Sequence, residues 1–492
     1  MSQLAYRKFI VITAVLALAS LLLGSCAPAA TPTVAPATAA PAQPTVAAAQ
    51  PTATTAAAQP TATTASAQPT ATTAAAQATA TTAVSNAPVT ITFWSHDYKP
   101  RETLDDKFIA AFEAAHLNIK VDYVIGPGND TDYLTKLTTA YAGNAAPDCF
   151  NLRASSAGAL LAAKQVLPLD PKVFGYATVD ELVKAYVPGT LTGFYYKGQL
   201  FAIPTEVNIH AVYVNTALFK AAGLDPVKDA PKTWDDLLTI NPKLLKEQNG
   251  VLAQRGFDFI YGLPDDASGP INTLAGMAYQ LGGTIMNADQ TAATVNTEPW
   301  IRTFQYVQDW VYKYKFGGPQ YTSYYLAFIN GSEAMGISGS FLAADLVSQK
   351  SPAANTYEVI QMPRWKDATN NTGALLYGYG LFTNATSSPD KQQACQMLIK
   401  ELSSHPEDYL KDAALLQPTI ALSQTATFKN TPYLNVFLQD MVGTPWMPVH
   451  PKYSQIIDSL TRALQRVTTE QEPVKQALDT ANAEITAILQ GQ

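Results

Sequence analysis

Residues 94–98 read Trp-Ser-His-Asp-Tyr, placing an indole, an imidazole, a carboxylate and a phenol within five positions. Trp94, His96, Asp97 and Tyr98 suit non-covalent capture: an aromatic plate for a weakly apolar surface, with hydrogen-bonding groups around it. A core role for Trp94 stays open, because Phe93 and Trp94 must point to opposite faces of an extended segment. Arg153, in Asn-Leu-Arg-Ala-Ser-Ser, offers a fork for a hydroxyl or carboxylate, or is a plain surface cation. Covalent chemistry finds less support. His96, His116, His210, His405 and His450 lie far apart, and neither H-E-x-x-H nor C-x-x-C occurs. The run Gly336 to Ser340 has the wrong spacing for a nucleophile elbow, no Walker lysine motif occurs, and Gly378-Tyr379-Gly380 lacks the third glycine of a dinucleotide fingerprint. The stretches NDTDY and NADQT carry calcium-type oxygens without the glycine or terminal glutamate of an EF-hand. No catalytic residue, metal or cofactor is therefore expected. A carboxylate pair distant in sequence, as in a secreted carbohydrate hydrolase, is the rival from another class.

The elements that must position these groups follow from periodicity. Val89, Ile91 and Phe93 alternate with threonines, predicting a strand; Leu104, Phe108, Ala111, Phe112 and Ala115 fall at helical spacing. A second strand is predicted through Ile119, Val121 and Tyr123, a helix over about 133–142, and a third strand at PDCFNL. Strand, helix, strand, helix, strand implies right-handed crossovers and a largely parallel sheet. Ligands bind beyond the carboxyl ends of such strands, which puts WSHDY and NLRASS at the mouth of a site. Thr233 with Asp236, and Ser388 with Pro389-Asp390, mark helix starts. Val474, Ala477, Leu478, Ala481, Ile485, Ile488 and Leu489 form an apolar seam of about two heptads, read as core packing rather than a coiled-coil partner.

Composition narrows the classes. The chain has 492 residues, 32 basic and 39 acidic, for a formal charge of −7, and no basic stripe, which excludes nucleic acid as an expected partner. Some 400 residues from Val89 onward suffice for two cores. Cys149 and Cys395 read as two buried free thiols, with pairing in an oxidising compartment left open. Upstream, Arg7 and Lys8 precede an apolar run from Phe9 to Leu23, about fifteen residues where a membrane span needs about twenty. It ends in Leu23-Gly24-Ser25-Cys26, which resembles the bacterial lipoprotein signal; that resemblance implies lipidation of Cys26 and cleavage before it. From Ala49 a nine-residue unit, AQPTATTAA with small variations, recurs. With no aromatic and almost no charge or large apolar side chain, it cannot offset its ordering entropy. The expected organisation is a signal peptide at 1–25, a disordered Ala/Thr/Pro/Gln-rich linker at 26–87 and a binding region at 88–492.

The stretch from Gly198 to Leu237, GQLFAIPTEVNIHAVYVNTALFKAAGLDPVKDAPKTWDDL, is similar to family 1 extracellular solute-binding proteins, the capturing subunits of ABC-type sugar importers. FINGSEAMGISGSF (Phe328 to Phe341), YGYGLFTNATSSPDKQQACQMLIKEL (Tyr377 to Leu402) and PDCFNLRASSAGALLAAKQVLPLD carry the same resemblance. It implies an α/β, two-lobed periplasmic-binding-protein type II fold, each lobe a mainly parallel sheet flanked by helices, closing at a hinge. One lobe is expected over about 88–205 plus 355–420, the other over 206–354 plus 421–492. It also implies a sugar or oligosaccharide ligand, delivery to ABC permease subunits, and a lipid-anchored monomer at the extracytoplasmic face. Alternative ligands for the same fold are polyols, glycerol phosphodiesters, peptides and opine-like compounds. Ligand contacts are expected from Glu206 and Asn208, which share a side as i and i+2, and from Ser338, Gly339 and Phe341, where the family often has Trp in place of Phe341. Tyr377 and Tyr379 either approach the ligand or pack under the hinge, and Trp446 sits in a proline-bounded loop. Tyr213 and Asn215 more often have structural roles in this family. The density of Tyr and Trp favours a neutral sugar.

Overall fold

Alternating Ile91 and Phe93 bury one side of β1 (Val89–His96), the first strand of a computed structural model that describes residues 87–259, 268–370, 372–431 and 433–491. The expected leader, Cys26 and all but the end of the repeat linker lie outside the described residues. After β1 come α1 (Lys99–Ala115), β2 (Ile119–Gly126), α2 (Asp130–Ala142), β3 (Cys149–Arg153), β4 (Val166–Leu167), β5 (Ala202–Asn208), β6 (Ala211–Asn215) and α3 (Trp234–Leu244). Then follow α4 (Glu298–Tyr312), α5 (Tyr324–Ile329), β7 (Met335–Ser338), α6 (Leu342–Ser348), β8 (Tyr357–Ile360), β9 (Tyr377–Asn384), α7 (Pro389–Ser403), α8 (Tyr453–Thr469) and α9 (Val474–Leu489), with shorter pieces between.

The first sheet has the order β2-β1-β3-β9-β4, with β5 also paired to β9. β1 runs parallel to β2 and β3, as the crossovers require. β9 runs antiparallel to β3, β4 and β5. It enters from the second sheet's side without a crossover helix, and only such a helix would have turned it parallel. The second sheet, β7-β6-β8, corrects the mainly parallel expectation for that lobe, since both pairings of β6 are antiparallel. The stripe of α1 also differs from its prediction. Leu104, Phe108, Ile109 and Phe112 are buried beside Arg101 and Asp105, while Ala111 and Ala115 are exposed, because the stripe turns to bury the Arg101–Asp105 pair.

Two hydrophobic cores result. Trp234, Trp300, Trp310 and Trp365 all belong to the second, so four of the six tryptophans are spent on packing and lend no weight to a sugar ligand. β6 feeds both cores: Ala211 and Tyr213 face the first, Val212 and Val214 the second. One strand departs from the lobe limits expected from the sequence. β8 pairs with β6 in the second sheet, although it lies within 355–420. The first core draws on both expected lobes: Leu422, Phe428, Leu434 and Phe437 join it beside Phe328 and Leu342, with Phe437 meeting Tyr213 of β6 ring to ring at 6.5 Å.

Cys149 and Cys395 are not free thiols. α7 carries Cys395 over the start of β3, the Cα atoms come to 5.7 Å, within bridging range, and the two sulfurs are bonded. Local signals hold elsewhere. Thr233 and Asp236 cap α3 reciprocally, at 3.1 and 2.9 Å. α7 starts at Pro389 behind Ser388. Val474, Ala477, Leu478, Ala481 and Ile485 are buried in the second core, as the seam predicts. No described helix is long and apolar enough to cross a membrane.

Candidate functional site

Register brings the first group of side chains together. Tyr379 on β9 is directly opposite Arg153 on β3 and Glu206 on β5, so all three stand in one row across the sheet. His96 ends β1 on the same side, its ring 4.4 Å from that of Tyr379 and its Nδ1 2.8 Å from Asn151 Oδ1. Three of these positions lie at or near the carboxyl ends of strands of like direction, where a bound molecule is expected. The other wall comes from Ser338 at the end of β7, the following Phe341, and Tyr324, Tyr325 and Asp345 on α5 and α6. Together they enclose a cavity of about 240 Å³, just below the range of about 300–1,000 Å³ typical of small-molecule sites.

Electrostatics inside are set by burial. Arg153 donates to Asp130 at 2.8 Å and lies 4.8 Å from the ring centre of Tyr377. Burial alone would raise the Asp130 carboxyl, but Arg153 and the Tyr379 hydroxyl, which donates to it, bring it below the usual carboxylate range. Glu206 has no such partner: burial pushes it up to about 7, against the pull of Arg101. Burial also raises Asp345, whose carboxylate accepts the Tyr325 hydroxyl proton. His96 is pushed down to about 3 by burial and then Arg101, and His210 to about 3 by burial and then Arg153, so both imidazoles are neutral at physiological pH. Ser338 Oγ is buried in the cavity wall and has no hydrogen-bond partner among the described residues.

Nine of the expected residues line the cavity: His96, Asp97, Tyr98, Arg153, Glu206, Ser338, Phe341, Tyr377 and Tyr379. Four do not. Trp94 lies two residues, roughly 7 Å, back along β1 from His96. Its ring is half-buried against the first core under Lys136 Nζ at 4.4 Å. Trp446 stands edge-on to Phe194 at 5.3 Å, and its indole N–H donates to the Gly189 carbonyl at 3.0 Å. It thus packs on the first core beside a separate groove. Asn208 braces the site from behind, donating to Glu206 while its Oδ1 accepts the Ser340 N–H at 3.0 Å. Gly339 is a spacer, since a Cβ there would come within 2.4 Å of the Tyr377 hydroxyl.

Sequence reasoning missed Asp130, His210, Tyr324, Tyr325 and Asp345. Asp130 had a signal, an acidic residue opening α2 just after β2, inside the NDTDY stretch considered for calcium. Among the described residues no cluster of three or more metal-ligating side chains occurs. Tyr213 and Asn215 are structural: Tyr213 donates to the Gly339 carbonyl at 3.0 Å, and Asn215 caps the helix Thr216–Ala221.

Comparison with known proteins bears on the family and the fold. A family model described as bacterial extracellular solute-binding protein matches residues 107–433, about two thirds of the chain. The sn-glycerol-3-phosphate-binding periplasmic protein UgpB of Yersinia pestis bv. Antiqua is 32% identical over 129 residues, 25% of this chain. That match spans only 29% of the relative's own length. A solute-binding protein from Thermotoga lettingae bound with alpha-D-tagatose superposes with a TM-score of 0.71 at 20% identity, covering 81% of this chain and 99% of that one. UgpB from Mycobacterium tuberculosis in complex with glycerophosphocholine gives 0.70 at 16% identity, covering 82% and 99%. At such identities the likeness establishes the two-lobed periplasmic-binding fold and nothing about the solute. The family match settles the affiliation: this chain belongs to the bacterial extracellular solute-binding proteins.

Proposed function

We propose that the chain captures a small hydroxyl-rich solute of the sugar class between its lobes, at the cavity just described, and passes it to the permease of an ABC importer. The observation that carries this reading is the composition of the cavity wall. Buried carboxylates, a paired guanidinium, an unpartnered serine hydroxyl and tyrosine rings converge there, and a sugar ring needs that mixture of charge-assisted hydrogen bonds and flat apolar faces. The same wall disfavours a free phosphate, because Arg153 is already matched by Asp130 and, among the described residues, four carboxylates line the space. The protein acts by binding and hinge closure, as a monomer held at the outer face of the cell membrane through lipidated Cys26, and it performs no turnover. His96, Asp97, Tyr98, Arg153, Glu206, Ser338, Phe341, Tyr377 and Tyr379 contact the solute; Asn208 and Gly339 hold the contacts in place.

A thermal-shift screen of mono- and oligosaccharides on the purified full chain tests the reading. A solute present at about 100 times its Kd should stabilise the fold by about 2.7 kcal/mol. Recovery of that solute unchanged after long incubation is expected, and its hydrolysis would favour the carbohydrate hydrolase instead. For the anchor, Cys26→Ala should move the protein from the membrane to the soluble fraction with affinity unchanged.

A further inference from the structure

The charges of the cavity do not balance. Among the described residues four carboxylates line it, from Asp97, Asp130, Glu206 and Asp345, against the single guanidinium of Arg153. Asp130 is paired with Arg153 at 2.8 Å, and Asp97, at the exposed lip, with Lys99 at 3.1 Å. Glu206 and Asp345 have no cation within ion-pair distance among the described residues. Glu206 has the Asn208 amide and Asp345 the Tyr325 hydroxyl, both neutral donors. The other guanidinium in reach, Arg101, is committed to Asp105 at 3.5 Å and to the His96 carbonyl at 2.5 Å. These two carboxylates approach from opposite walls, Glu206 from β5 of the first sheet and Asp345 from α6 beyond the second. Tyr98 shares the cavity with both, and burial and then the charges of Asp345 and Glu206 push its hydroxyl well above its usual range.

Around this pair stand the rings of Tyr98, Tyr324, Tyr325, Phe341, Tyr377 and Tyr379. Tyr98 and Phe341 meet edge to face at 6.4 Å. Aromatic faces carry negative potential, so rings and carboxylates together favour a cation, and a desolvated cation gains most from them. A neutral sugar would leave buried Glu206 and partly buried Asp345 with neutral donors only, whereas a positive charge beside them favours their ionised forms.

Resting on the capture of a hydroxyl-rich solute proposed above, we infer that this solute carries a positive charge: it is an amino sugar, whose ammonium group sits between Glu206 and Asp345 against the ring of Tyr98. Histidines do not oppose this placement, since His96 and His210 are neutral at physiological pH.

Titration calorimetry on the full chain with three matched pairs tests it: glucose with glucosamine, galactose with galactosamine, and mannose with mannosamine. At least one amine is expected to bind ten-fold or more tighter than its parent sugar, and added salt should narrow that gap. Glu206→Gln and Asp345→Asn should each weaken the amine several-fold more than the parent sugar, so that the ratio of the two affinities falls. The wild-type comparison stands even where a variant misfolds. Parent sugars binding as well as their amines would overturn the charge assignment and leave solute capture intact. No binding by any of the six would also overturn it, and a neutral oligosaccharide bound in the same assay would then show that the broader reading survives alone.

Discussion

Glu206 is the residue on which pH should act most directly. Its folded-state carboxyl titrates near 7 against an ordinary 4.5, so between those values the folded protein holds a proton that the unfolded chain has released. The resulting contribution is fully present below about 4.5 and is lost as pH rises through about 7, on the order of 3 kcal/mol in all. Glu206→Gln should therefore gain on the wild type as pH rises from 5 to 8, read as a widening difference in melting temperature without solute. A constant difference across that range would show that Glu206 is ionised throughout. Aromatic residues split by place. Tyr377→Ala should weaken solute binding by roughly 1–3 kcal/mol. Trp446→Ala should cost about 2–3 kcal/mol of stability and leave affinity unchanged, because its ring is seated on Gly193 and Phe194. Paired melting and affinity measurements separate the two. The sequence made His96 and Arg153 visible through their places at strand ends, and Tyr379 through its alternation with glycines. It could not distinguish Trp94 from His96, since one pleat repeat decides which reaches the cavity.

Among the elements, β9 organises the site and was the least legible. Its residues 377–384 read as an ordinary strand, yet it lies between β3 and β5 and sets Tyr379 in register with Arg153 and Glu206. Strand pairing across more than two hundred residues leaves no local periodicity, whereas β1 and β2, paired with each other close in sequence, were read as strands and α1 as a helix, though with a shifted buried stripe. The contribution of α5 and α6 was hidden for the same reason: Tyr325 and Asp345 meet only through the fold. The bond between Cys149 and Cys395 joins β3 to α7 across 246 residues. Replacing both cysteines by serine should cost about 2–4 kcal/mol, seen as a lower denaturant midpoint. Because the bond lies within the first core, affinity for solute should be retained at temperatures where the variant stays folded.

For the whole molecule, the two-lobed fold was legible from family-like segments, while its inner boundary was not. The two hydrophobic cores, however, share a strand. β6 turns Tyr213 to one core and Val212 and Val214 to the other, and Asn208 ties the β5 segment to Ser340 just beyond β7. Neither core can then be dismantled while the other keeps its full complement of side chains. The consequence is one of cooperativity: despite two cores, heating should produce a single endotherm whose calorimetric and van't Hoff enthalpies agree. Tyr213→Ala, which removes only the side chain facing the first core, should lower that one melting temperature rather than split the transition in two.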